Sequence, residues 1–158
     1  MHTDAASMLI ATRGRTRLAA LTERLGRFPI AIVQCMFRLA IASVFLKAGL
    51  NKIMGWELTV QLFADEYKVP VLSPEIAARM AVTFEIGCSL LLIAGLATRL
   101  ATLPLLGMIV TIQLFVYPSA YAEHLTWASI LVFLLTRGAG PWSLDRLIGF
   151  EPGGSARA

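Results

Sequence analysis

Apolar residues run along this chain in long uninterrupted stretches, set apart by short polar connections, with neither strand-like alternation nor a one-sided stripe. Four stretches stand out: Ile30 to Asn51, Glu75 to Leu96, Leu100 to Pro118 and Glu123 to Thr136. The first three come near the ~20 residues that a helix needs to cross a bilayer core, while the fourth is short. Backbone surrounded by lipid must satisfy its own hydrogen bonds, so each stretch is expected to be helical, and short connections make neighbours antiparallel. The expected fold class is therefore all-α, an integral membrane four-helix bundle. Pro104 falls in the first turn or two of the third stretch, where a missing N–H matters least.

Outside these runs the pattern changes. Between Ser7 and Arg27, Leu9, Leu18, Leu21 and Leu25 recur at roughly helical spacing among arginines, which fits an amphipathic helix lying on a membrane surface. The chain then divides into a basic amphipathic arm (1–29), a transmembrane domain (30–147) and a flexible tail (148–158). A cleaved signal peptide is not expected, because the run after the basic region is long enough to span and no small-residue cleavage site follows it. In the connection from Gly55 to Ser73, Trp56, Val60 and Phe63 share helical spacing, so a short helix across the outer mouth is expected. "GPWSLDRL" carries helix-breaking Gly140 and Pro141, then Ser143 as a cap with Asp145 in the first turn of another short helix.

Composition agrees with a bilayer: 57% of residues are hydrophobic, 15% are charged and the mean hydropathy is +0.71. The net charge of +4 does not form a nucleic-acid patch. Arg13, Arg15, Arg17, Arg24 and Arg27 precede the first run and Arg137, Arg146 and Arg157 follow the last, with Arg99 in the middle connection. On the opposite side Lys52 and Lys68 are outnumbered by Glu57, Asp65, Glu66 and Glu75. Both termini are therefore expected to be cytoplasmic. Cys35 and Cys88 lie inside apolar runs without redox or zinc spacing, and read as small buried hydrophobes with a redox pair as the alternative.

Charges inside the runs are the candidate chemistry, since each is costly in hydrocarbon. At 100° per residue Arg38, Phe45, Gly49 and Lys52 share one face of the first helix, whereas Lys47 points away and can snorkel to the headgroups. Arg38 needs a partner, and Glu85 is the only acid deep within a run. The small residues Ala78, Ala81 and Ser89 on the face of Glu85 would let two backbones approach, so an Arg38–Glu85 pair is expected, either as a registry device or as a site. Gln113 and Tyr117 share a face of the third helix, and with Lys52 and His124 they could ring one outer pocket. His124 reads either as a solvated residue at a helix end or as a ligand or proton carrier. Bis-histidine haem ligation and a glycine-rich nucleotide turn are both missing, and no haem, flavin or metal is indicated.

These residues resemble the DoxX family of small four-helix membrane proteins. The resemblance is carried by "FRLAIASVFLKAGLNKI", with Arg38, Phe45, Gly49 and Lys52, by "FEIGCSLLLIAGLATRLA", with Glu85, and by "GPWSLDRL", and it extends from about Gln34 to Leu147. It implies Arg38, Gly49, Lys52, Glu85, Gly95, Arg99, Trp142, Ser143 and Asp145 as characteristic positions. Some family members resemble subunits of thiosulfate:quinone oxidoreductase and others accompany redox-stress or metal-handling systems, so the family implies a fold more firmly than a reaction.

Two functions compete, and a small-solute transporter is a third that lacks an inverted repeat. The first is a quinone-interacting subunit or accessory of a membrane redox system in the bacterial inner membrane, with Glu85 and Arg38 as catalytic groups and Arg38, Lys52, Gln113, Tyr117 and His124 binding quinone. A buried carboxylate suits the protons that a reduced quinone releases. The second is a non-enzymatic anchor or assembly partner. In either case a protein partner could dock through Trp142, Ser143 and Asp145, and homo- or hetero-oligomers are compatible with the sequence.

Overall fold

The computed structural model describes residues 19–20, 22–68 and 71–150, which form helices and turns with no strand among them. The chain divides into two compact units, Met1–Ile30 and Ala31–Ala158. In the first, 19–20 and 22–26 are helical and an exposed Arg27–Glu23 pair closes at 2.6 Å. Most of the expected amphipathic arm from Ser7 lies outside the described residues.

The second unit is built on four long helices. They are α1 (Ile30–Met54), α3 (Pro74–Ala94), α4 (Thr98–Thr111) and α5 (Tyr121–Arg137), with two short helices, α2 (Trp56–Leu62) and α6 (Leu144–Leu147). A π turn, Phe63–Tyr67, continues α2, and another, Ile112–Val116, extends α4. Among the described residues three helices have the length and apolarity to cross a membrane: Ile30–Met54, Pro74–Ala94 and Thr98–Val116, each with a mean hydropathy of 1.8. The fourth expected span differs. Helix α5 has 17 residues, about 25 Å of rise, because Glu123 and His124 occupy its first turn and Gly138 ends it.

Local sequence explains the ends. Pro74 opens α3 with its fixed φ where an N–H would be spare anyway. Gly95 closes it at φ +66°, with Gly95 N–H donating to Leu92 O at 3.1 Å and Leu96 N–H to Leu91 O at 2.9 Å, the paired bonds of a Schellman cap. The next helix starts two residues later at an alanine that cannot cap it. Asp145 does so from 48 and 47 residues away: its carboxylate accepts from Ala97 N–H at 2.6 Å and Thr98 N–H at 2.9 Å. Pro104 is the seventh residue of α4, within its second turn, and the Leu100 carbonyl loses its usual partner.

The core gathers Ile41, Phe45, Leu92, Leu105, Leu131 and Leu134 between the long helices. Large apolar side chains also cover the outside: Leu103 and Val110 on α4 and Leu114 in its π extension are 50%, 56% and 63% exposed. A helix apolar both inward and outward has no aqueous face, which is the pattern of a membrane protein.

Candidate ligand cavity

Gly49 sets the geometry of the site. A Cβ there would lie 2.7 Å from Ile86 Cγ1 and 3.1 Å from Glu85 Cβ, so only glycine lets α1 and α3 approach this closely. One turn along α1, Lys52 Nζ reaches Glu85 Oε1 at 2.6 Å. The Glu85 side chain is 3% exposed and that of Lys52 21%. The second carboxylate oxygen, Oε2, is buried and has no hydrogen-bond partner, and neither has Ser89 Oγ one turn further along α3. Unpartnered buried oxygens of this kind are costly and call for an explanation.

Lys52 and Glu85 form the charged end of a cavity of about 370 Å³, walled mostly by apolar residues such as Phe63, Ala77, Phe84 and Met108. Its roof is irregular helix. Both π turns contribute, closing through Lys68 N–H to Phe63 O at 3.1 Å and Tyr117 N–H to Ile112 O at 2.8 Å. Such turns shift side chains out of helical register and are common beside ligand sites. Here they bring Tyr67 and Tyr117 together over the cavity, rings 6.1 Å apart, with Tyr67 also edge-on to Phe63 at 4.9 Å. The Tyr117 hydroxyl donates to Glu66 Oε1 at 3.1 Å. Burial, then the hydrogen bond with Tyr117 and the charges of Glu66 and Glu85, push the Tyr67 phenol up to about 12, so it remains a proton donor at any physiological pH.

A family model described as DoxX matches residues 33–118, more than half of the chain. The chain belongs to the DoxX family. No curated protein and no solved structure gives a match. In this DoxX protein the matched region contains Gly49, Lys52, Glu85 and every cavity-lining residue, and it stops before α5 and the Trp142, Ser143 and Asp145 segment.

The structure reassigns the expected partners. Arg38 does not pair with Glu85: Gly49, not Arg38, is the residue of α1 that packs against Glu85, and Arg38 lies 11 residues, about 16 Å, further down the helix. The buried guanidinium, 3% exposed, instead donates to Ala139 O at 3.0 Å and packs on Gly95. Gln34, one turn away, donates to Arg137 O at 3.0 Å and Gly138 O at 3.3 Å. Arg38 thus belongs to a second cluster that fastens the segment after α5. Gln113 and His124 also leave the expected ring, because His124 Nδ1 and Gln113 Oε1 bond each other at 2.7 Å and join α4 to α5, while Lys52 and Tyr117 line the cavity.

Ser143 caps α6 as its sequence indicates, its Oγ accepting from Arg146 N–H at 3.3 Å. Of the three residues of the expected docking segment, Ser143 and Asp145 are buried, at 7% and 1% exposure, with Asp145 capping α4, and Trp142 is exposed. Lys47 is exposed, and Cys35 and Cys88 are free thiols. Sequence reasoning missed Tyr67, although the signal was there: Trp56, Val60 and Phe63 continue at the next helical step to Tyr67.

Proposed function

We propose that this DoxX protein is a quinone-binding subunit or accessory of a redox system in the bacterial inner membrane, with Lys52, Glu85, Tyr67 and Tyr117 around the quinone head. The observation that carries the reading is the buried Lys52–Glu85 pair, with one carboxylate oxygen left unpartnered, at the end of a largely apolar cavity. A volume of about 370 Å³ lies within the ~300–1,000 Å³ typical of small-molecule sites. The Lys52 ammonium is a donor for a quinone carbonyl, and Glu85 Oε2 is an acceptor for the hydroxyl of the reduced form. A bound quinone would supply two-electron redox chemistry, and the chain would orient it and hold the exchanged proton at Glu85.

In the same reading α5 crosses with the other three helices as a four-helix bundle whose termini are both cytoplasmic, supported by the five arginines at 24, 27, 99, 137 and 146 against Lys52, Lys68 and Arg79 on the opposite side. Reporters fused after Ala158 and inserted near Asp65 should then report opposite sides of the membrane, and both on one side would remove α5 as a span. The quinone is tested by solvent extraction of protein purified in mild detergent. The wild type should carry quinone over the level of the surrounding lipid, and Glu85→Leu with Lys52→Met should not. Equal amounts in both would leave the anchor function, in which the pair only fixes the helices.

A further inference from the structure

The way into the cavity is visible in how the outward faces of α3 and α4 are built. On α4 and its π extension, Leu103, Val110 and Leu114 form the exposed stripe, and the position between them on the same face is Gly107. Gly107 is exposed, a Cβ on it would meet nothing within 4 Å, and it lines the cavity. On α3 the exposed stripe runs through Ile76, Met80 and Leu90, and Met80 lines the cavity too. One residue from each outward stripe therefore borders the same space, so the cavity has a mouth between α3 and α4 on the surface that faces lipid.

The mouth lies deep. Gly107 is tenth of the 19 residues in Thr98–Val116, about 14 Å from either end, and Glu85 is about 16 Å into α3 from Pro74. Gly107 is thus at the middle of its own span, while Lys52, two residues from the end of α1, sets the polar end of the cavity nearer the outer edge. A ligand crossing this mouth never passes the headgroup layer, and its own head must travel through hydrocarbon. A phosphate-bearing lipid head would lose its hydration there at a cost of several kcal/mol, whereas a neutral carbonyl-bearing ring would not.

We propose that the cavity is loaded sideways from the bilayer, and that its ligand is a neutral quinone whose alkyl or isoprenoid tail leaves between α3 and α4 across Gly107. This rests on the quinone reading above and adds the tail and its route. Pro104 and Gly107, three residues apart and both lining the cavity, leave the outward edge of its α4 wall without a bulky side chain where the tail passes.

The test uses full-length protein in phosphatidylcholine nanodiscs, with a decyl-substituted benzoquinone and the same benzoquinone without the tail, each read as a ligand-induced rise in Tm. Both should stabilise the wild type, the tailed form more. Gly107→Phe should remove most of the tailed shift and keep the tail-less one, and Gly87→Phe, at an exposed α3 position outside the cavity, should keep both. Gly107→Leu, a smaller filler with better helix propensity, should show the same ordering more weakly. A full tailed shift in Gly107→Phe, or equal loss of both shifts, overturns the lateral route. A wild type that responds only to the tail-less ring also overturns it but leaves the quinone site standing, and a wild type that responds to neither removes both.

Discussion

Breaking the Lys52–Glu85 pair one side at a time should give unequal losses that do not add. Lys52→Met strands Glu85, whose side chain is 3% exposed, and loss of one partner of a buried pair costs about 3 to 5 kcal/mol. Glu85→Leu leaves Lys52, which at 21% exposure near the end of α1 can swing its ammonium to water on a four-carbon stem. Its cost belongs at or below the lower edge of that range. The double variant leaves no charge behind and should lie within about 1 kcal/mol of wild type, since apolar replacement of both partners is often neutral. For a chain of 158 residues each kcal/mol moves Tm by about 2 to 4 °C, so Lys52→Met should melt roughly 6 to 20 °C lower. Glu85→Leu should fall less, and the double variant should recover most of the difference.

Thermal melts in one detergent, followed by helical circular dichroism, measure all three. A double variant that loses the sum of the single losses would refute the pairing, because independent sites add and coupled ones do not. The control is Arg38→Leu combined with Glu85→Leu. With about 16 Å of helix between Arg38 and the level of Glu85, these two should add and show no recovery.

Three further outcomes follow from other contacts. Asp145→Ala removes the acceptor for two N–H groups, one buried and one part-buried, at the start of α4, so melts should show a loss of about 1 to 3 kcal/mol, with Asp145→Asn losing less. Gly49→Val should force α1 from α3 at about 1 to 3 kcal/mol in the same assay and lower retained quinone, because its first carbon already meets Ile86. The Tyr67 phenol is raised in the folded protein, so the stability it contributes is complete below pH ~10 and is lost as pH rises from there through about 12. Absorbance titration near 295 nm should show one of the three tyrosines ionising last, and Tyr67→Phe should delete that step.

How much of this was legible beforehand depends on whether a feature is local. Helix positions follow from apolar run length, and the Ser143 cap follows from residues within one turn of its helix end, so those could be read directly. Assigning a partner to Glu85 required the axial offset between α1 and α3, which helical wheels omit. A wheel placed Arg38 and Lys52 on one face, which is correct, but 14 residues of rise separate them by about 21 Å. The missing information was in Gly49: a glycine between two basic residues on one face marks the point of closest approach, and a carboxylate there is reached by whichever cation is one turn away. The same logic accounts for Arg38, since Gly95 is the close-approach glycine at its level, and what lies beyond that glycine is the carbonyl-rich segment after α5. Two glycines thus divide the charges of one helix face between two tasks. Gly49 gives Lys52 a carboxylate that opens on a cavity, and Gly95 gives Arg38 a backbone to hold, so a loss of ligand binding should track the first cluster and a loss of packing after α5 the second.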